Sequence, residues 1–133
     1  MLEISRDAYD AVVAHARRDH PDEACGMLAR SGSGEVRVIE MMNTARSPTF
    51  YEMDSLEVLR VMRELDDRDE ALYAIYHSHT ATEAYPSRTD ISIAGYPEAH
   101  YVLVSTRSPD EVEFRSFRIV DGVVEEEPVS VGG

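Results

Sequence analysis

The chain has 133 residues, with 26 Asp and Glu against 13 Lys and Arg and a formal charge of −13 at pH 7. That balance excludes broad contact with nucleic acid or an anionic membrane, because both are bound through cations that neutralise phosphate. The length predicts one domain, residues 1–133, and 43% hydrophobic residues with seven Tyr and three Phe predict a packed core rather than a disordered chain.

The lone cysteine, Cys25, cannot close an internal disulfide. No amino-terminal export pattern and no apolar run of about 20 residues occurs, so the expected location is the cytoplasm. After an opening strand, Ser5 offers an N-cap, and Ala8, Ala11, Val12, His15 and Ala16 recur at helical spacing until Pro21. Residues 24–29 and 35–42 are apolar segments separated by Ser31-Gly32-Ser33-Gly34, a hairpin signal. One more strand is expected before Asp54 and Glu57 start a second helix, whose buried stripe would be Leu56, Leu59, Met62 and Leu65. Residues 71–76 suit a buried strand leading into His77, and the polar loop 80–86, a candidate lid, ends at Ser87, which could cap a short helix reaching about Gly95. A central strand follows over 101–105. A second hairpin, 112–120 with 123–131, turns at Asp121-Gly122. The order β, α, β, β, β, α, β, short α, β, β, β predicts a mixed α/β layer structure with much antiparallel pairing and a hairpin at each edge of the sheet.

His77-Ser78-His79 is the first feature that the fold alone does not require. On an extended segment, residues i and i+2 share a face, so both imidazoles can converge on one point. Ser87 and Asp90 complete the spacing His-x-His-(x7)-Ser-x-x-Asp, which chance would produce roughly once in a thousand such compositions. With Ser87 as N-cap, Asp90 stands at N3, from where its carboxylate can turn back toward the strand end. Two neutral imidazoles and one carboxylate make a three-ligand zinc site that keeps a position for water, the pattern of catalytic zinc. Activating water calls for a base, and the leading candidate is Glu23, just ahead of the apolar strand Ala24-Cys25-Gly26-Met27-Leu28. Beside that reading stands a solvated loop acid at Glu23, and beside a catalytic Ser87 stands a plain cap. A thiol route through Cys25 with His77 or His100 is open but weak, because a lone cysteine in an apolar strand is more often a small buried hydrophobe. His15, His20 and His100 read as structural.

In order and spacing, Glu23, His77-Ser78-His79, Ser87 and Asp90 resemble the motif of the JAMM, or MPN+, zinc metallopeptidases. The stretches around residues 15–26, 47–51, 75–90 and 99–107 are similar to the branch of that family that removes cysteine from small sulfur carrier proteins. The resemblance implies a cytidine-deaminase-like α/β domain, a mixed sheet flanked by helices. It implies one Zn2+ per chain on His77, His79 and Asp90, with Glu23 as general acid and base and Ser87 as a donor to the oxyanion. The implied activity is hydrolysis of the amide bond after a C-terminal Gly-Gly on a ubiquitin-like carrier, which releases cysteine. Hydrolysis of ubiquitin-like conjugates on protein lysines, a metal-free scaffold role and a homodimer stay open. So does a role for the chain's own Gly132-Gly133 as a product-like tail.

Overall fold

In the computed structural model, which describes residues 1–132, β1 (Leu2–Ile4) leads into α1 (Arg6–Asp19), where Ser5 accepts the Ala8 amide at 3.2 Å. α1 buries Ala8, Val12, Val13, His15 and Ala16, the face its spacing predicts. β2 (Cys25–Ser31) and β3 (Val36–Met41) form the first hairpin. α2 (Ser55–Asp67) starts on Asp54, whose carboxylate accepts the Glu57 amide at 3.2 Å. Then come β4 (Glu70–His79), α3 (Arg88–Ile93), β5 (His100–Ser105), β6 (Glu113–Val120), β7 (Val123–Glu127) and β8 (Val129–Val131).

Six strands make one sheet in the order β3-β2-β4-β5-β6-β7, with β4 and β5 parallel and every other pair antiparallel. The two hairpins form its edges. Asp121 (φ 52) and Gly122 (φ 77) supply the two left-handed conformations that a type I′ turn needs. One face of the sheet packs Leu28, Ala74, Tyr76, Val102 and Val104 against α1 and β1. The other packs Met27, Ile75, Leu103 and Phe117 under α2 and α3. Among the described residues no helix is long and apolar enough to cross a membrane.

Three details differ from the sequence expectation. The buried face of α2 is Val58, Val61, Met62 and Leu65, while Leu56 and Leu59 are 69% and 47% exposed. At about 100° per residue, positions three apart drift about 60° per step, so Leu56 and Leu65 point in opposite directions, whereas the 58/61/62/65 set stays within about 100°. The strand expected before α2 is absent, and residues 43–53 form a loop pinned by buried Asn43. The Asn43 amide nitrogen donates to Glu23 O (3.0 Å) and Phe50 O (2.9 Å), and its oxygen accepts from Ala45 N (3.0 Å) and Glu52 N (3.1 Å). Finally, 123–131 is two strands. Pro128 has no N–H to continue the ladder, and its carbonyl accepts Leu2 N at 2.9 Å as β8 leaves the sheet to pair in parallel with β1. Of the Gly132-Gly133 pair, Gly133 lies outside the described residues, and Gly132 N donates to Ile4 O at 2.8 Å.

Candidate active site

The carboxyl end of β4 carries His77 and His79 on the α2–α3 face of the sheet. Ser78 points the other way, and its hydroxyl accepts Ala24 N at 2.8 Å while Ser78 N donates to Ala24 O at 3.0 Å. This clamp continues the antiparallel register in which Cys25 faces His77, and so sets Glu23 across from His79. A third hold on Glu23 is its own amide, which donates to Ser47 O at 2.9 Å.

The histidine orientations follow from their partners. His79 Nδ1 is 2.9 Å from Glu83 O; a carbonyl can only accept, so Nδ1 carries the proton and Nε2 presents a lone pair. Nε2 faces Asp90 Oδ2 at 3.0 Å and donates to it when the ring is protonated on both nitrogens. His77 Nε2 lies 3.1 Å from the same oxygen without hydrogen-bond alignment, and it is buried with no hydrogen-bond partner. Tyr51 stacks on the His77 ring, centroids 4.4 Å apart, and shields it.

Asp90 reaches this point through the first turn of α3. Ser87 Oγ accepts Asp90 N at 3.1 Å, and Ser87 N donates to Asp90 Oδ2 at 2.9 Å, a reciprocal capping box. The cap uses only a lone pair of the Ser87 hydroxyl. Its proton stays free to donate, so capping and an oxyanion contact do not compete.

The electrostatics call for a cation. Burial pushes His77 toward its neutral form more strongly than Asp90 draws it back. For His79 burial also opposes the charge, but the bonds to Asp90 and Glu83 prevail and raise its pKa. Burial acts on Asp90 too, yet the two imidazoles against it and the hydrogen bond from the Ser87 amide hold its carboxyl well below the usual carboxylate range. Two ring nitrogens and an anionic oxygen thus converge, all within 4.8 Å of one another, and a positive charge has to lie among them. A tetrahedral ion with bonds of about 2.0–2.1 Å holds its donors roughly 3.3 Å apart, close to the two His–Asp separations. The donor set fits a metal ion, and the orphaned His77 nitrogen is the atom that a proton shared between His79 and Asp90 would leave unsatisfied.

Glu23 is 5% exposed, and burial pushes its carboxyl up to about 7, partly offset by His79. A group that changes charge near neutrality, placed across from His79, can both take and return a proton. Cys25 does not suit nucleophilic work: it is fully buried, burial pushes its thiol up to about 12, and its nearest polar partner is Met41 O at 4.0 Å. The loop 80–86, read as a lid, is tied at four points. Thr80 Oγ1 donates to Pro48 O (2.8 Å), Ser105 Oγ to Thr82 O (2.6 Å), His79 Nδ1 to Glu83 O, and Ala84 N to Glu113 Oε2 (3.0 Å). The remaining histidines have structural partners: His15 bonds Tyr76 OH (2.6 Å), His20 Thr106 Oγ1 (2.8 Å) and His100 Glu127 (2.5 Å).

Sequence reasoning passed over Ser78, Asn43, Tyr51 and the Glu83 carbonyl. Strand alternation could have singled out Ser78 as the residue facing away from the histidines. The other three act across the chain and leave no local signal.

Residues 5–120 match the family described as prokaryotic homologs of the JAB domain. The chain belongs to the JAB family. It is 61% identical over 133 residues to a CysO-cysteine peptidase of Mycobacterium tuberculosis, covering 98% of this chain and 91% of the relative. A desampylase of Haloferax volcanii is 31% identical over 113 residues, 78% of this chain and 80% of that one. A solution structure from Desulfitobacterium hafniense superposes with a TM-score of 0.85 at 32% identity, covering 98% and 92% of the two chains. The family match together with the 61% identical peptidase relative makes the protein a peptidase, and its mixed sheet flanked by helices is the architecture of its structural neighbours.

Proposed function

We propose that the protein hydrolyses the amide bond after the C-terminal Gly-Gly of a small ubiquitin-like sulfur carrier and releases cysteine. His77, His79 and Asp90 would hold one zinc ion. The observation that carries this is the convergence of His77 Nε2, His79 Nε2 and Asp90 Oδ2, with one nitrogen unpartnered, next to a carboxyl that titrates near 7. When bound, the ion supplies Lewis acidity toward the scissile carbonyl and the attacking water. Glu23 takes the proton of that water and passes it to the leaving nitrogen. Ser87 donates to the carbonyl oxygen as negative charge develops there, a contact worth about 3 kcal/mol in comparable sites. His79 is kept in the ligating tautomer by Glu83 O, and Tyr51 keeps water off His77.

An apolar groove of about 320 Å³ runs beside Tyr51, lined by Met27, Phe50, Met53, Ile93 and Tyr96. It suits an extended carrier tail whose last glycines reach the metal centre. The name of the 61% identical relative supports cysteine as the leaving group. The desampylase relative favours a second reading, removal of a ubiquitin-like modifier from protein lysines by the same chemistry. Mass spectrometry of a carrier–cysteine adduct, incubated with enzyme with and without a chelator, tests the proposal. Turnover should need the metal, and His77→Ala or Asp90→Ala should lose both metal and turnover. Retention of both by either variant would show the site to be misassigned.

A further inference from the structure

The apolar groove and the candidate metal site share one face of the sheet and meet at one side chain. Met27, Ile75 and Tyr101 make the floor of the groove, residues 50–53 with Val58 of α2 one wall, and Ile93 and Tyr96 the other. Ile75 stands two residues before His77 on β4, on the same face and about 7 Å down the strand. Tyr51 lines the groove and stacks on the His77 ring at 4.4 Å. A chain lying along the groove therefore passes Tyr51 on its way to His77, His79 and Asp90.

Tyr51 is fixed from both sides and still has a donor to spare. Asn43 Nδ2 donates to Phe50 O at 2.9 Å and Asn43 Oδ1 accepts Glu52 N at 3.1 Å, so one buried amide brackets Tyr51 in the chain. The phenols of Tyr76 and Tyr101 have partners, His15 Nδ1 at 2.6 Å and Tyr96 N at 2.9 Å. The Tyr51 hydroxyl has none among the described residues. Nor is it sealed in, since His77 Nε2 is the one buried side-chain polar atom left unpaired among them. Burial raises the pKa of this phenol, so it keeps its proton at neutral pH. A phenol held in place, open to the groove and beside the reacting centre, is a hydrogen-bond donor for a ligand.

We propose that the Tyr51 hydroxyl donates to the carbonyl of the penultimate glycine of the carrier tail and so sets which bond of the tail lies over the site. The inference rests on the hydrolytic reading above and adds a tail-binding residue to it. The geometry of an extended chain selects the acceptor, because its successive carbonyls point to opposite sides. Tyr51 and Ser87 stand on opposite sides of β4. Tyr51 packs with Cys25 and Met27 under α2, whereas Ser87 opens α3, whose Ile91 packs on the Leu103 cluster. A tail between them that turns its last glycine carbonyl toward Ser87 turns the preceding carbonyl toward Tyr51. Two consecutive carbonyls held from opposite sides fix the tail lengthwise, which apolar walls alone do not do.

The test uses metal-loaded enzyme and two ligands: the carrier–cysteine adduct for turnover, and cysteine-free carrier with its Gly-Gly tail for binding by calorimetry. Tyr51→Phe keeps the ring on His77 and removes only the hydroxyl. It should hold its metal, lower kcat/KM about three- to tenfold with the loss in KM, and weaken carrier binding by the same factor. Tyr9→Phe, on α1 across the sheet, should match the parent in all three. A synthetic tail whose penultimate-glycine carbonyl oxygen is replaced by sulfur, a weaker acceptor, should cost the parent a similar factor in binding and Tyr51→Phe almost nothing. Unchanged KM and carrier affinity in Tyr51→Phe, a loss confined to kcat, or a sulfur penalty equal in the two proteins overturns the assignment and leaves hydrolysis standing. A parent that binds carrier but cleaves no adduct refutes the hydrolytic reading alone; one that does neither refutes both.

Discussion

Replacing Glu23 by Gln separates the energetic cost of the buried acid from its chemical use. In the folded metal-free protein the carboxyl titrates near 7 instead of 4.5 because it is buried. The unfolded chain therefore binds fewer protons than the folded one between about 4.5 and 7, and stability falls as pH rises through that window. At 1.36 kcal/mol per pH unit, the full penalty above about 7 is up to roughly 3 kcal/mol. Gln is neutral throughout and escapes it. Urea denaturation of chelator-treated protein should therefore show Glu23→Gln ahead of the parent by less than about 1 kcal/mol at pH 5 and by as much as about 3 kcal/mol at pH 8. Titrations not coupled to Glu23 cancel in the difference; that of His79, which the Glu23 charge draws up, does not. With the metal restored the gap should narrow, because a nearby cation favours the ionised carboxylate. The variant should keep its metal but lose about 10²- to 10⁴-fold in turnover. A stability gap of the same size at pH 5 and pH 8 would refute the burial argument.

Ser87 can be resolved into cap and donor. Ser87→Ala should lose about 1 kcal/mol of stability and Ser87→Gly only a few tenths, while both lose about 10²- to 10³-fold in kcat and Ser87→Thr keeps most of it. Turnover that follows stability across the three variants would leave Ser87 with the cap alone. Gly26→Ala should destabilise by at least 1–3 kcal/mol in a thermal or urea melt, because an added Cβ would run into the Tyr76 phenol ring, which is buried and held by His15. If the acidic surface attracts a basic face of the carrier, KM for the adduct should rise severalfold from low salt to about 0.5 M while kcat changes little; a salt-independent KM would dismiss that attraction.

The convergence of His77, His79 and Asp90 was legible because its geometry is local. His77 and His79 owe their common face to strand alternation, and Asp90 owes its reach to the cap at Ser87, so four positions in one short stretch state the arrangement. Glu23 was harder to place, because what fixes it is the Ser78 clamp and the Asn43 loop, both from distant parts of the chain. On α2 the apolar residues offered two overlapping stripes, and counting by threes followed the one that winds around the helix. Pro128 should have divided the last strand, since it removes a ladder donor. The Asn43 loop could not have been foreseen, because a single buried amide satisfies four backbone groups there and no periodic pattern accompanies it.

α3 is six residues long and has no fully buried side chain, too short to persist on its own in water. What holds its first turn is Asp90, whose Oδ2 accepts from the Ser87 amide and lies 3.0 and 3.1 Å from the ring nitrogens of His79 and His77. A cation held by Asp90 and the two histidines would couple its own binding to the integrity of this helix. Withdrawing such an ion should then quicken amide exchange over 87–94 before the sheet loosens, which would make the helix a reporter of metal occupancy.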